Sequence, residues 1–251
     1  MEEQFNISNR VRLRTSIAVL LLDDLTGLPI IGSNARAWIE GQKPPVKKND
    51  GWNAFLELPP GTYNVTAEGG TYERKTVQVT VDKPFDTVLL RLSPNRLYRA
   101  PYDCIRVEGH TEPNTEVTVY PQGRQTVFKL QRDCAKKDTT LAVYSSTNTS
   151  LQGRLLKLSS PDGTGETVRI NKVSEDKPGE YVLETPVKNA YPKIGTVLVP
   201  AVQTRSDENG DFFALVKTGS GETEIAVEVA GSGNKRKTFS RGEGNTITVA
   251  L

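Results

Sequence analysis

Few residues in this 251-residue chain have types and spacings that could do chemistry. A catalytic site needs titratable groups that converge on one cleft. The single histidine, His110, lies in Gly109-His110-Thr111-Glu112-Pro113 with no serine or cysteine beside it to act as a nucleophile, and it reads as a solvated turn side chain. In Asp207-Glu208-Asn209-Gly210-Asp211, hard oxygen donors recur at alternate positions, so Asp207, Asn209 and Asp211 are candidate calcium ligands. The stretch lacks the length and bidentate glutamate of an EF-hand loop, and a plain hairpin turn explains the same residues. Lys235-Arg236-Lys237 with Arg241 makes a basic hairpin tip, which would suit an anionic surface or a glycan and is otherwise a solvated turn. Glu166-Thr167 sets an acid beside a hydroxyl, most simply a polar pair that fixes strand register. Cys104 and Cys134 have no CxxC or histidine cluster around them, which argues against metal. They read as free thiols in a reducing compartment, with a disulfide, and therefore export, as the alternative. No HExxH, GxSxG, GxGxxG or phosphate-binding loop occurs. The expectation is a non-enzymatic chain without a cofactor.

What would position such residues is a β framework. Gly at 21 and Pro at 15, with many Thr and Val, favour turns and short strands over helices. Hydrophobic content of 36% and charged content of 25% suit β surfaces wetted on one side. A net charge of +2 gives no reason to expect nucleic acid or an anionic membrane as partner. The longest apolar run, residues 17–22, is far shorter than the roughly 20 residues a bilayer span needs. The first residues, MEEQFNISNR, show no apolar signal segment, so a cytoplasmic location is expected, with release in an assembled particle allowed. Three matches to the glycosylation pattern, at Asn6, Asn64 and Asn148, carry little weight in that setting.

Two stretches repeat one grammar. Asn49-Asp50-Gly51 is a turn signal followed by the alternating run Trp52-Asn53-Ala54-Phe55-Leu56-Glu57-Leu58, in which Trp52, Ala54, Leu56 and Leu58 form the expected buried set. Pro59-Pro60-Gly61 breaks the run, and residues 62–67 alternate again. Near the C-terminus Glu208-Asn209-Gly210 takes the place of the first turn and residues 223–229 that of the second strand. Further strands are predicted over residues 15–22, 35–40, 76–81, 87–92, 103–109 and 116–120. The aromatics Trp52, Phe55, Tyr63, Phe212 and Phe213 could form a sugar platform, but their alternation assigns most of them to cores. Between residues 120 and 207 the second copy is interrupted by a stretch with its own strands, at 140–144, 153–158, 166–173, 181–187 and 195–200. The predicted organisation is an arm (1–13), a sandwich (14–93), a linker (94–102), a second sandwich (103–121 and 204–251) and a small β-barrel inserted into it (122–203). The fold class is all-β, with two immunoglobulin-like or transthyretin-like sandwiches.

The first unit resembles the carboxypeptidase regulatory-like (transthyretin-like) sandwich family, through the segment from Asp24 to Glu40, Asn49-Asp50-Gly51-Trp52, the Leu56 to Val65 stretch with its Pro-Gly-x-Tyr, and Thr87 to Leu92. The resemblance implies a stable, non-catalytic module. The insert resembles a small barrel of bacteriophage and phage-tail-like particle proteins, through its strand order, Glu166-Thr167 and the ending Val187-Lys188-Asn189-Ala190-Tyr191-Pro192, although Leu151-Gln152-Gly153 departs from the usual aromatic approach. Together the two resemblances imply a structural or accessory protein of a contractile injection particle. Its partners would be other protein subunits, a homo-oligomer included, with neither nucleic acid nor membrane insertion. The alternative is a cell-surface adhesion or carbohydrate-binding module.

Overall fold

The computed structural model describes residues 14–82, 85–122, 128–146, 150–175, 177, 179–218, 224–230, 235–240 and 246–250, and among them there are strands, turns and loops but no helix. The apolar run after Arg14 becomes β1 (Thr15–Asp23), buried along nearly its whole length because it sits in the middle of a sheet with cover on both faces. β2 (Ala35–Ile39) and β3 (Val46–Lys47) follow, then β4 (Trp52–Leu56), β5 (Gly61–Gly69), β6 (Tyr72–Val81) and β7 (Asp86–Leu92). One sheet runs β3-β4-β1-β7 and the facing one β2-β5-β6. β1 is antiparallel to β4 and parallel to β7. Ile17, Val19 and Leu21 from one sheet meet Ala37, Ile39 and Val65 from the other in the core.

The inward face of β4 is not the one its alternation predicts. Cross-strand partners share a face, and β1 pairs Ile17 with Phe55 and Val19 with Asn53. Phe55 therefore enters the core at 1% exposure, while Trp52 and Leu56 are only half-buried on the other side. Asn53 is buried beside it, its amide donating to the Gly51 carbonyl at 3.1 Å. A left-handed residue, Glu57 at φ 54°, then redirects the chain so that Leu58 joins the core.

The second sandwich repeats this topology. β8 (Cys104–His110) takes the place of β1 and β9 (Glu116–Pro121) that of β2. After the insert come β16 (Val202–Arg205), β17 (Asp211–Lys217), β18 (Glu224–Val229), β19 (Lys235–Ser240) and β20 (Thr246–Ala250). β8 lies between antiparallel β17 and parallel β20, as β1 lies between β4 and β7. The facing sheet runs β16-β9-β18-β19. The returning chain pairs with β9 from Val202 onward.

Between β9 and β16 the chain forms β10 (Phe128–Leu130), β11 (Thr140–Ser145), β12 (Leu155–Ser159), β13 (Gly165–Val173), β14 (Glu180–Leu183) and β15 (Val197–Pro200), closed as a barrel in the order β10-β11-β14-β13-β12-β15. Leu141, Leu156, Leu158, Ile170 and Leu198 fill it. The strand predicted over residues 181–187 ends at Leu183, because residues 184–191 turn to cap the barrel. Glu166 accepts the backbone N–H groups of Lys188 and Asn189 and the hydroxyl of fully buried Tyr191. Glu166 therefore anchors a loop and is not paired with its neighbour Thr167. β10 was not legible in the sequence, since three residues show no periodicity.

Candidate functional site

Two charged side chains set into apolar strands join the barrel to the sandwiches. Arg91 lies in β7 at 2% exposure. Its Nε donates to the Gln152 carbonyl at 2.6 Å and its Nη2 to the Ser150 carbonyl, both in the barrel turn before β12. Nη1 faces the Asp24 carboxylate at 3.8 Å. Burial is the main reason the Arg91 pKa falls to about 10; the nearby Arg154 lowers it further, while Asp24 and Asp23 oppose the fall. At the second seam, Lys157 of β12 donates to both carboxylate oxygens of Glu228 in β18, at 2.9 and 2.7 Å. The Tyr120 hydroxyl of β9 also donates to Glu228, and the Lys157 ammonium lies 5.1 Å from the Tyr120 ring centre. Leu155, Val199 and Ala201 pack around this group against Tyr120 and Ala226.

Asp23, buried at the end of β1, organises the linker. Its Oδ1 accepts the N–H groups of Leu25 and Thr26, and its Oδ2 accepts the hydroxyls of Tyr72 and Tyr98. The two rings meet edge-on, 5.6 Å apart. Burial first, then the neighbouring carboxylate, pushes both phenol pKa values well above the ordinary range.

Where the three units meet there is a cleft of about 1000 Å³. Residues 200–205 line one wall and residues 213–218 the other, with Leu25, Thr26 and residues 93–97 closing it from the side of the first sandwich. Arg154 also lines it. Its Nε is buried without a hydrogen bond, and burial lowers the pKa of its guanidinium against the pull of Asp24 and Asp23. Nothing in the sequence announces this cleft, because the side that closes it, Leu25, Thr26 and residues 93–97, lies more than a hundred residues from the two walls. The residues of the seams do leave a signal: Arg91 and Lys157 are charges inside runs of leucine, and Asp23 closes the apolar run of β1.

The candidates named from sequence lie elsewhere or serve the turns. Asp207 Oδ1 accepts the N–H groups of Asn209 and Asp211, and Asp207 N–H donates to the Asp211 carbonyl. Gly210 has φ 88°, and a Cβ there would lie 2.1 Å from the Thr111 carbonyl oxygen. Asp211 Oδ1 is 3.1 Å from His110 Nδ1, so the lone histidine pairs across the β8–β17 ladder. Among the described residues no group of three or more His, Cys, Asp and Glu side chains is placed to hold a metal ion. Lys235, Arg236 and Lys237 are strand residues in β19, facing Val229, Glu228 and Val227 of β18, and do not form a hairpin tip. Arg241 lies outside the described residues. Cys104 and Cys134 are buried in separate clusters and unbonded. Burial pushes their thiols up to about 12 and about 11.

No family model matches the chain, and no curated protein matches it. Among solved structures, the TIE protein of Bacillus anthracis overlaps 96% of this chain and 51% of its own, at 10% identity and TM-score 0.27, so this chain spans about half of that protein's length. A DUF3823 family protein from Bacteroides ovatus overlaps 89% and 97%, at 12% identity and TM-score 0.24. BcpA, the major pilin subunit of Bacillus cereus, overlaps 95% and 98%, at 9% identity and TM-score 0.28. Overlaps at these scores carry no argument about function.

Proposed function

We propose that this chain is a non-enzymatic structural protein that works through protein–protein contacts, as a subunit or accessory part of a phage-tail-like contractile injection particle. The observation that carries the non-catalytic part is where its buried charges are used. Buried Arg91, Lys157 and Asp23, with half-buried Glu228, bond carbonyls, N–H groups, hydroxyls and each other across the seams and the linker, so their hydrogen-bonding capacity goes to holding β units in place. Fixed spacing between units is what an assembly subunit needs. The particle itself is suggested by the likeness of residues 138–200 to small barrels of phage-tail-like proteins. The division at residues 14–93, 94–102, 103–121 with 204–251, and 122–203 belongs to the same proposal, as do the cytoplasmic location and the protein partners.

Fractionation of native-source lysate by ultracentrifugation, with this chain followed by mass spectrometry, tests it. Sedimentation with sheath and tube proteins is the expected result. Recovery in the light fraction, or outside the cell as a monomer, would sink it. One observation favours a second reading, an adhesion or carbohydrate-binding module: the cleft is at the upper end of the size range for ligand pockets. A glycan array on the purified chain is the measurement for that case.

A further inference from the structure

We propose that the cleft binds an acidic oligosaccharide, with the guanidinium of Arg154 taking the carboxylate of one uronic acid unit. The cleft holds about 1000 Å³, room for more than one sugar ring, and Arg154 is among its lining residues.

Arg154 stands apart from the other cations that the fold has drawn inward. Among the described residues, buried or half-buried Lys75, Arg91, Arg106, Lys157 and Arg169 all donate to carbonyls or carboxylates. Half-buried Arg154 has no such partner among them, and its Nε is fully buried without a bond. Two carboxylates lie near it, and both are engaged. Asp24 faces Arg91 Nη1 at 3.8 Å, and the Asp23 oxygens accept two N–H groups and two hydroxyls. Burial outweighs their pull, so the Arg154 pKa falls below the ordinary arginine value. A cation held out of water without a partner costs stability. A ligand carboxylate offsets that cost through two parallel N–H···O bonds, the geometry that a planar guanidinium fits.

Asp24 and Glu73 on the same lining decide the kind of anion. Two carboxylates near Arg154 repel a phosphate dianion, and they accept hydroxyl groups well. A ligand with one carboxylate and several hydroxyls on each ring satisfies both, which is the chemistry of a uronic acid. Further positive charge lies at the opening. Arg96 and Arg205 line the cleft, are exposed, and have no carboxylate within 4 Å among the described residues. The other acids of the lining, Asp207 and Asp211, are held by turn N–H groups and by His110. Three guanidiniums around one cleft suit an acid group that repeats along a chain. Leu97, 77% exposed on the same lining, offers apolar surface to the C–H face of a ring.

This inference rests on the carbohydrate-binding reading of the cleft and deepens it; it is independent of assembly. Isothermal titration calorimetry of the full chain with trigalacturonate tests it, beside a neutral galactose trisaccharide and a triglutamate peptide. Saturable binding of trigalacturonate is expected, at least tenfold tighter than either comparison and weakened by added salt. Arg154→Met should weaken it at least tenfold, and Arg154→Lys, which keeps the charge, should weaken it less. The urea midpoint of the free Arg154→Met chain should be no lower than that of the wild type, because the substitution removes a cation that the fold leaves without a partner. No binding of trigalacturonate, or equal binding by the Arg154→Met chain, overturns the site. A variant that loses stability together with binding overturns the direct contact. Equal binding of the neutral trisaccharide overturns the acidic ligand and leaves the carbohydrate reading standing. Equal binding of triglutamate overturns the sugar.

Discussion

At the scale of single residues, the informative groups are charges that the fold has taken out of water. Arg91 holds two carbonyls of another unit from a site 2% exposed, so its removal takes their shared donor away and leaves a cavity where the guanidinium stem packed. Arg91→Ala should lower unfolding free energy by about 2–4 kcal/mol in urea melts. Arg91→Lys should recover less than half of that, because an ammonium lacks the planar fork that reaches both carbonyls. Cys104 gives a pH signature. Its thiol pKa rises from 9.0 to about 12 through burial, so the folded state holds the proton more tightly than the unfolded chain does. That contribution is complete below pH 9 and is lost as pH rises from 9 toward 12. The urea midpoint should therefore fall between pH 8.5 and 10.5, and Cys104→Ala should flatten the slope; an unchanged slope in the variant would assign the fall to other groups.

At the scale of elements, pairing register decides what a strand's alternation leaves open. β4 can present Trp52, Ala54 and Leu56 or Asn53 and Phe55 to the core, and its partners on β1 choose the second set. Phe55→Ala should cost about 3–5 kcal/mol as a core truncation, and Trp52→Ser markedly less; the reverse order in thermal melts would contradict the register. The 207–211 turn is set by Gly210, whose φ of 88° and contact with the Thr111 carbonyl leave no room for a Cβ. Gly210→Ala should destabilise the second sandwich by more than about 1 kcal/mol, measured as a loss of exchange protection in β8 and β17.

At the scale of the whole molecule, two seams couple three units. With Arg91 and Lys157 in place the chain should melt in one transition. Arg91→Ala with Lys157→Ala should broaden the calorimetric transition and lower its midpoint without splitting it, because the apolar clusters around Tyr120 and Ala226 and around Leu25 and Phe213 still join the units. The sequence by itself determined the all-β class, because that rests on local turn chemistry and period-2 alternation, which each segment carries alone. Asn49-Asp50-Gly51 and Glu208-Asn209-Gly210 are turns wherever they are placed. Only the tertiary structure decided the inward face of β4, the place of Lys235 to Lys237 in a strand, and the cleft. Those depend on which strands pair and where two sheet edges come to lie side by side. Arg91 in β7 meets Ser150 and Gln152 only after both units have folded, and nothing in the spacing of fifty-nine and sixty-one residues between them encodes that meeting.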